Sequence, residues 1–133
     1  MARPSNKPPS SQLVYDGAVL RIEFYVASNG AVPAEAWLEQ LPLAGQQKFA
    51  ALFARMGNTG KIWNERKFKH LTETDQIFEF KVEADRILCF FVVGRRLILT
   101  HGFRKAGDKT SKGEIARAEA YKKDFEGRKK HES

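Results

Sequence analysis

Cations gather in this chain where the strand pattern stops. Residues 95 to 125, RRLILTHGFRKAGDKTSKGEIARAEAYKKDF, run from an apolar stretch through His101, Gly102 and Phe103 into Arg104 and Lys105. Side chains at the end of a strand can converge on a ligand, and a cationic end implies an anionic one. A second concentration, Lys61, Arg66, Lys67, Lys69 and His70, has Trp63 and Phe68 interleaved. Positive charge for phosphates with flat rings for bases is the combination that suits RNA, while two rings turned into a core would leave only a solvated loop. His70 and His101 could form a simple proton-transfer pair near neutral pH. Strand alternation puts His101 with Leu97, Leu99 and Phe103, which predicts a buried, hydrogen-bonded ring, and His131 lies in the tail. No two histidines have the spacing of helical zinc motifs, and the single Cys89 sits in the apolar run ILCFFVV, so neither a metal site nor a cofactor is expected.

Charge and length limit the rest. The 133 residues, 42% apolar, suffice for one core and are too few for two ordinary domains. The net charge of +7 is uneven, with 5 basic and 4 acidic side chains in residues 1 to 60 against 18 and 12 in residues 61 to 133. Any anion-binding surface therefore belongs to the second half. There is no run of 18 apolar residues and no apolar signal core at the start, so a cytoplasmic protein without membrane contact is expected. The opening MARPSNKPPSSQ has three prolines and little to bury, and residues 1–18 are predicted as a disordered arm. A single domain over 19–126 and a basic tail over 127–133 follow.

The elements that must position these residues can be read in order. Leu20, Ile22, Phe24 and Val26 alternate with Arg21, Glu23 and Tyr25, predicting a half-buried strand. Pro33 opens a short helix carrying Ala34, Trp37, Leu38 and Leu41, and a second helix presents Phe49, Leu52, Phe53 and Met56 before Gly57, Asn58 and Gly60. Phe78, Phe80 and Val82 alternate with Ile77, Glu79 and Lys81, residues 87 to 93 are apolar throughout, and Gly94 and Arg95 turn the chain into the next strand. Short connections make these last three strands an antiparallel meander. Ser111 and Glu114 have capping-box spacing, and Ile115, Ala118, Tyr121 and Phe125 form the inner face of a final helix, with Arg117, Lys122 or Lys123, and residues 128 to 130 in solvent. The expected class is α+β, in the order β-α-α-β-β-β-α, with an antiparallel sheet packed by an N-terminal helical hairpin and a C-terminal helix.

This order, with IFEFKVEADRILCFFVV and LILTHGFRKAGDKTSKGEIARAEAY, resembles the RelE/HigB superfamily of type II toxin–antitoxin toxins, particularly its phage-associated HigB-like branch. The likeness spans roughly residues 20 to 126 and is most specific at HGFRK and KGEIARA. It implies a small RelE-like domain that enters the ribosomal A site and cuts messenger RNA without a metal, inhibited by a small helix-turn-helix antitoxin.

Such cleavage needs a base for the 2′-hydroxyl, positive charge for the phosphorane and an acid for the 5′-oxygen. A lysine ordinarily titrates at about 10.4, and burial or neighbouring cations lower it, which makes Lys81 and Lys67 candidates for proton transfer. Arg104 matches the family's phosphate-binding arginine at the end of the fourth strand, where a guanidinium fork suits an equatorial oxygen. Lys61, Arg66, Lys69, His70, Lys105 and Lys109 are the candidate RNA contacts. Arg86, at the head of an apolar strand, reads better as a structural ion-pair partner. The chain departs from the family where Phe80 and Lys81 replace a leucine and an arginine, and where Asp85, not an aromatic, precedes Arg86. Lysine offers a point charge and no fork. A non-enzymatic alternative, a ParE-like DNA gyrase poison or a phage protein binding a host factor, uses the same surface.

Overall fold

The computed structural model describes residues 8–132. Its elements are β1 (Ser11–Asp16), β2 (Arg21–Tyr25), α1 (Pro33–Glu39), α2 (Leu43–Thr59), β3 (Phe68–His70), β4 (Phe78–Val82), β5 (Asp85–Val92), β6 (Arg96–Arg104) and α3 (Lys112–Glu132). The class is α+β as expected, with three helices on a six-stranded sheet of order β1-β2-β6-β5-β4-β3. The sheet is mixed and not antiparallel throughout. The meander β4-β5-β6 and the pairs β1·β2 and β3·β4 are antiparallel, but β2 runs parallel to β6, from Arg21 opposite Arg96 to Phe24 opposite Leu99.

Two strands go beyond the sequence reading. β1 lies inside the segment expected to be a disordered arm, and residues 11 to 16 instead cover the outer edge of β2. Residues 1–7 lie outside the described residues. β3 has only three residues, in the charged stretch before Phe78. The basic tail continues α3 as far as Glu132.

Both sheet faces are covered. Ile22, Phe24, Phe80, Val82, Ile87, Leu97 and Leu99 pack with Phe49, Leu52, Phe53 and Met56 under the helical hairpin. Tyr25, Ile77, Leu88, Phe90 and Ile98 pack with Ala118 and Phe125 under α3. Consequently β2 is buried on both sides and not half-buried: its second face carries Glu23, 5% exposed, which accepts two hydrogen bonds from Arg96 of β6 at 2.6 and 3.0 Å. Burying a carboxylate in this way is tolerable because both oxygens are bonded to a cation.

The helices start and stop where local chemistry directs. Pro33 occupies the first turn of α1. α2 ends at Gly60 in the left-handed region, φ 77°, with its N–H donating to Met56 O. The Ser111 hydroxyl accepts from Glu114 N at 3.2 Å at the head of α3. Between β5 and β6, Gly94 and Arg95 both have positive φ, the signature of a tight two-residue hairpin. Gly102 is demanded by packing: a Cβ there would lie 2.1 Å from the Trp37 indole, so α1 rests directly on the β6 backbone.

Candidate functional site

A lysine-lined basin lies between the end of the sheet and α3. About 540 Å³ in volume, it is bordered by β3, β4 and the turn between them through Lys69, Glu73, Glu79 and Lys81, by the loop after β6 through Lys105, Asp108, Lys109 and Thr110, and by α3 through Lys112, Ile115 and Glu119. Strand alternation places Lys81 here. Phe80 and Val82 enter the core beneath the helical hairpin, and so the residues between them turn to the α3 face.

Glu79, 3% exposed, organises the basin floor. It accepts from the Thr110 hydroxyl at 2.6 Å, faces Lys81 Nζ at 3.8 Å and lies 4.0 Å from Arg86 Nε. The first contact fastens the loop between β6 and α3 across the basin, and the others keep two cations close in a partly dry setting. Burial pushes the Lys81 amine below its ordinary value, the charges of Arg86, Lys69 and Lys105 add to the shift, and Glu79 opposes it. Lys81 is thus the basin lysine suited to exchanging a proton, and Lys69, Lys105, Lys109 and Lys112 line the basin around it together with the carboxylates of Glu73, Asp108 and Glu119.

Arg104 does not join this group. Val82 pairs with Asp85, and Asp85 with Arg104, while the adjacent row is Lys81, Arg86 and Phe103. Directly paired residues share a face, so Arg104 projects on the hairpin side and Lys81 on the α3 side. Arg104 is 75% exposed and 3.6 Å from Asp85. The expected meeting of Arg104 with Lys81 in one hollow is therefore corrected by the register. Lys67 is exposed and outside the basin lining, and its backbone carbonyl accepts from Lys81 N at 2.9 Å. Arg66 is exposed and lines neither hollow.

Of the remaining candidates, Lys69, Lys105 and Lys109 line the basin, whereas Lys61 and His70 line a smaller cleft on the other side of β3, with Trp63, Phe78 and Phe91. Arg86 fills the structural role expected of it, 7% exposed and donating to the carbonyls of Glu83 and Asp85. Lys112, Glu79 and Thr110 were not singled out by the sequence. An acidic residue within an alternating strand, next to a lysine, is the only signal that could have pointed to Glu79.

His101 is buried and hydrogen-bonded as expected, but under a different layer. Ile87 pairs with Gly102 and Cys89 with Leu99, so β6 has one residue more than β5 over this interval. This bulge turns His101 away from the Leu97 and Leu99 face and toward α3, where its ring meets Glu114 Oε1 at 3.2 Å, Thr100 Oγ1 at 3.1 Å and the Tyr121 ring at 5.8 Å between centroids. Burial, and then the Arg117 charge, lower its pKa to about 4 against the pull of Glu114. The His70 ring lies tilted against Phe78, 4.7 Å between centroids. The two histidines belong to different faces of the sheet and make no pair. Of Lys122 and Lys123, one of which was expected in solvent, Lys123 is exposed while Lys122 is buried at 8% exposure, donating to Asp75 O at 2.6 Å.

A six-stranded α+β sheet with one covering hairpin, one C-terminal helix and a lysine-bearing basin at the sheet end is the build of a small RelE-like domain. The family model described as phage-derived protein Gp49-like (DUF891) matches residues 36–123, from α1 into α3, and the chain belongs to that family, which is RelE-like and toxin-like. No curated protein matches the chain. Among the described residues no helix is long and apolar enough to cross a membrane.

Proposed function

We propose that the protein is the toxin of a type II toxin–antitoxin system, a ribosome-dependent endonuclease that cuts messenger RNA in the A site and is held in check by a helix-turn-helix antitoxin. The observation that carries this reading is Lys81, partly buried, depressed in pKa and sharing one basin with Lys69, Lys105, Lys109 and Lys112. The neutral amine of Lys81 takes the proton of a 2′-hydroxyl. The 2′-oxygen bonds to phosphorus, the bond to the 5′-oxygen breaks, and a protonated basin lysine supplies the proton to the departing oxygen. The products are a 2′,3′-cyclic phosphate and a 5′-hydroxyl. Charge building on the phosphorane is met by Lys69, Lys105 and Lys112, preset around the basin. Lys67 and Arg104, outside the basin, act in this scheme as contacts to the ribosomal RNA.

The test is to map messenger RNA 5′ ends after induction in cells. New ends within codons are expected for the parent and their loss for Lys81→Ala, with growth arrest relieved. The same ends in both would remove Lys81 from the chemistry. The placement of Arg104 across the sheet favours a second, non-enzymatic reading, a ParE-like gyrase poison or a phage protein that sequesters a host factor. In that case DNA synthesis stops while pulse-labelled protein synthesis continues.

A further inference from the structure

Lys69 lines two hollows. One is the lysine basin; the other is a cleft of about 390 Å³ on the hairpin side of β3, bordered by Lys61, Trp63, Glu65, His70, Phe78 and Phe91. β3 is a three-residue edge strand, so a chain leaving the basin over Lys69 enters the cleft directly. The cleft is built of rings. Phe78 stacks on Phe68 at 5.5 Å and meets Phe91 edge-on at 5.0 Å, while His70 covers part of Phe78. Trp63 is 80% exposed, and among the described residues its ring has only the Lys61 ammonium over it, at 5.3 Å. Trp63 and Phe91, 80% and 39% exposed, line the same cleft, so two ring faces are open together to a flat ligand.

We propose that this cleft is a base-stacking subsite for single-stranded RNA, continuous with the lysine basin across Lys69. The proposal rests on the RNA reading of the basin. Charge favours RNA over an apolar protein segment: Lys61 and Lys69 stand against Glu65 alone in the lining, and the cleft opens over Lys69 into a basin whose five lysines outnumber its four carboxylates, Glu73, Glu79, Asp108 and Glu119. Each nucleotide offers a flat face to Trp63 or Phe91 and a phosphate to the neighbouring lysine, in the alternation the wall presents. Stacking of this kind is tolerant of sequence, since every base has a π-face.

The test compares a short fluorescent single-stranded RNA with an abasic ribose-phosphate oligomer of the same length, by anisotropy at fixed low salt. The full chain should prefer the base-bearing oligomer by on the order of tenfold. Trp63→Ala should abolish that preference without changing the affinity for the abasic oligomer, Trp63→Phe should keep most of it, and Lys105→Ala should weaken both oligomers alike. Because Trp63 is exposed, the melting temperature of Trp63→Ala should match the parent's. A preference that survives Trp63→Ala overturns the subsite, as does an equal loss for both oligomers, or a cleft that responds only to a protein partner. If neither oligomer binds the parent, the RNA reading of the basin fails, and the subsite with it. If stacking persists while 5′ ends are unchanged by Lys81→Ala, the cleavage chemistry fails and the subsite stands.

Discussion

Lowering the pH from 7 to 4 should destabilise the protein through His101, by an amount that can be calculated. The ring is 1% exposed beneath α3, and its pKa falls from 6.5 to about 4 because burial and the Arg117 charge disfavour the imidazolium. A depressed histidine is neutral in the folded state, while the unfolded chain takes up the proton below its own higher pKa. Its contribution is therefore complete above about pH 6.5 and is lost as pH falls toward 4. At one pKa unit per 1.36 kcal/mol, the loss at pH 4 is about 3 kcal/mol. Glu23 also loses stability in acid: burial opposes ionisation there, but the bonds from Arg96 and Ser11 outweigh it and hold the carboxyl below its ordinary value. A difference measurement removes that contribution. Urea denaturation of the parent and of His101→Gln across this range, followed by tryptophan fluorescence, should give a stability difference that shifts in the variant's favour by about 3 kcal/mol between pH 7 and 4. If the difference stays constant with pH, the ring is not buried in its neutral form, and the packing of β6 against α3 has been misjudged.

Gly102→Ala should cost on the order of 3 kcal/mol or more, since the added methyl would sit 2.1 Å from the Trp37 indole and α1 must lift to admit it; a thermal melt unchanged from the parent would contradict the contact. Glu79→Ala leaves Arg86 and Lys81 without their shared carboxylate and frees Thr110, so a loss of about 3 kcal/mol is expected by urea denaturation, together with faster hydrogen exchange in the loop between β6 and α3.

What the sequence made legible was whatever periodicity controls. The helical hairpin, the meander and the capped C-terminal helix follow from apolar spacing, two glycine turns and one serine, and Lys81 could be assigned a face because Phe78, Phe80 and Val82 alternate cleanly around it. Failures arose where a single residue breaks the count or where partners are distant in the chain. The bulge opposite Leu88 moves His101 to the other layer, and no local pattern at LTHGF announces it. Arg104 on β6 and Lys81 on β4 lie at the same end of the sheet with β5 between them, but only the pairing register tells which faces they take. β1 and β3 are short and lie in polar or charged stretches, so their strand character comes from the edges they pair with and not from their own residues. Helical spacing leaves Lys122 and Lys123 equivalent, because the partner that buries the Lys122 ammonium, the carbonyl of Asp75, is brought in by the turn before β4.

The parallel seam between β2 and β6 orders events in time. Its two sides come from opposite ends of the chain, and the Glu23 and Arg96 pair that locks it closes only when both have been made. A ribosome releasing this chain from its N-terminus first must therefore hold β1 and β2 in waiting until almost the whole message has been read, since the bond that completes the sheet needs its last strand. The molecule assembled this way gains its basin late, after α3 has left the exit tunnel, and a truncated product lacking that helix carries neither the roof over Lys81 nor the cover for Tyr25 and Phe90.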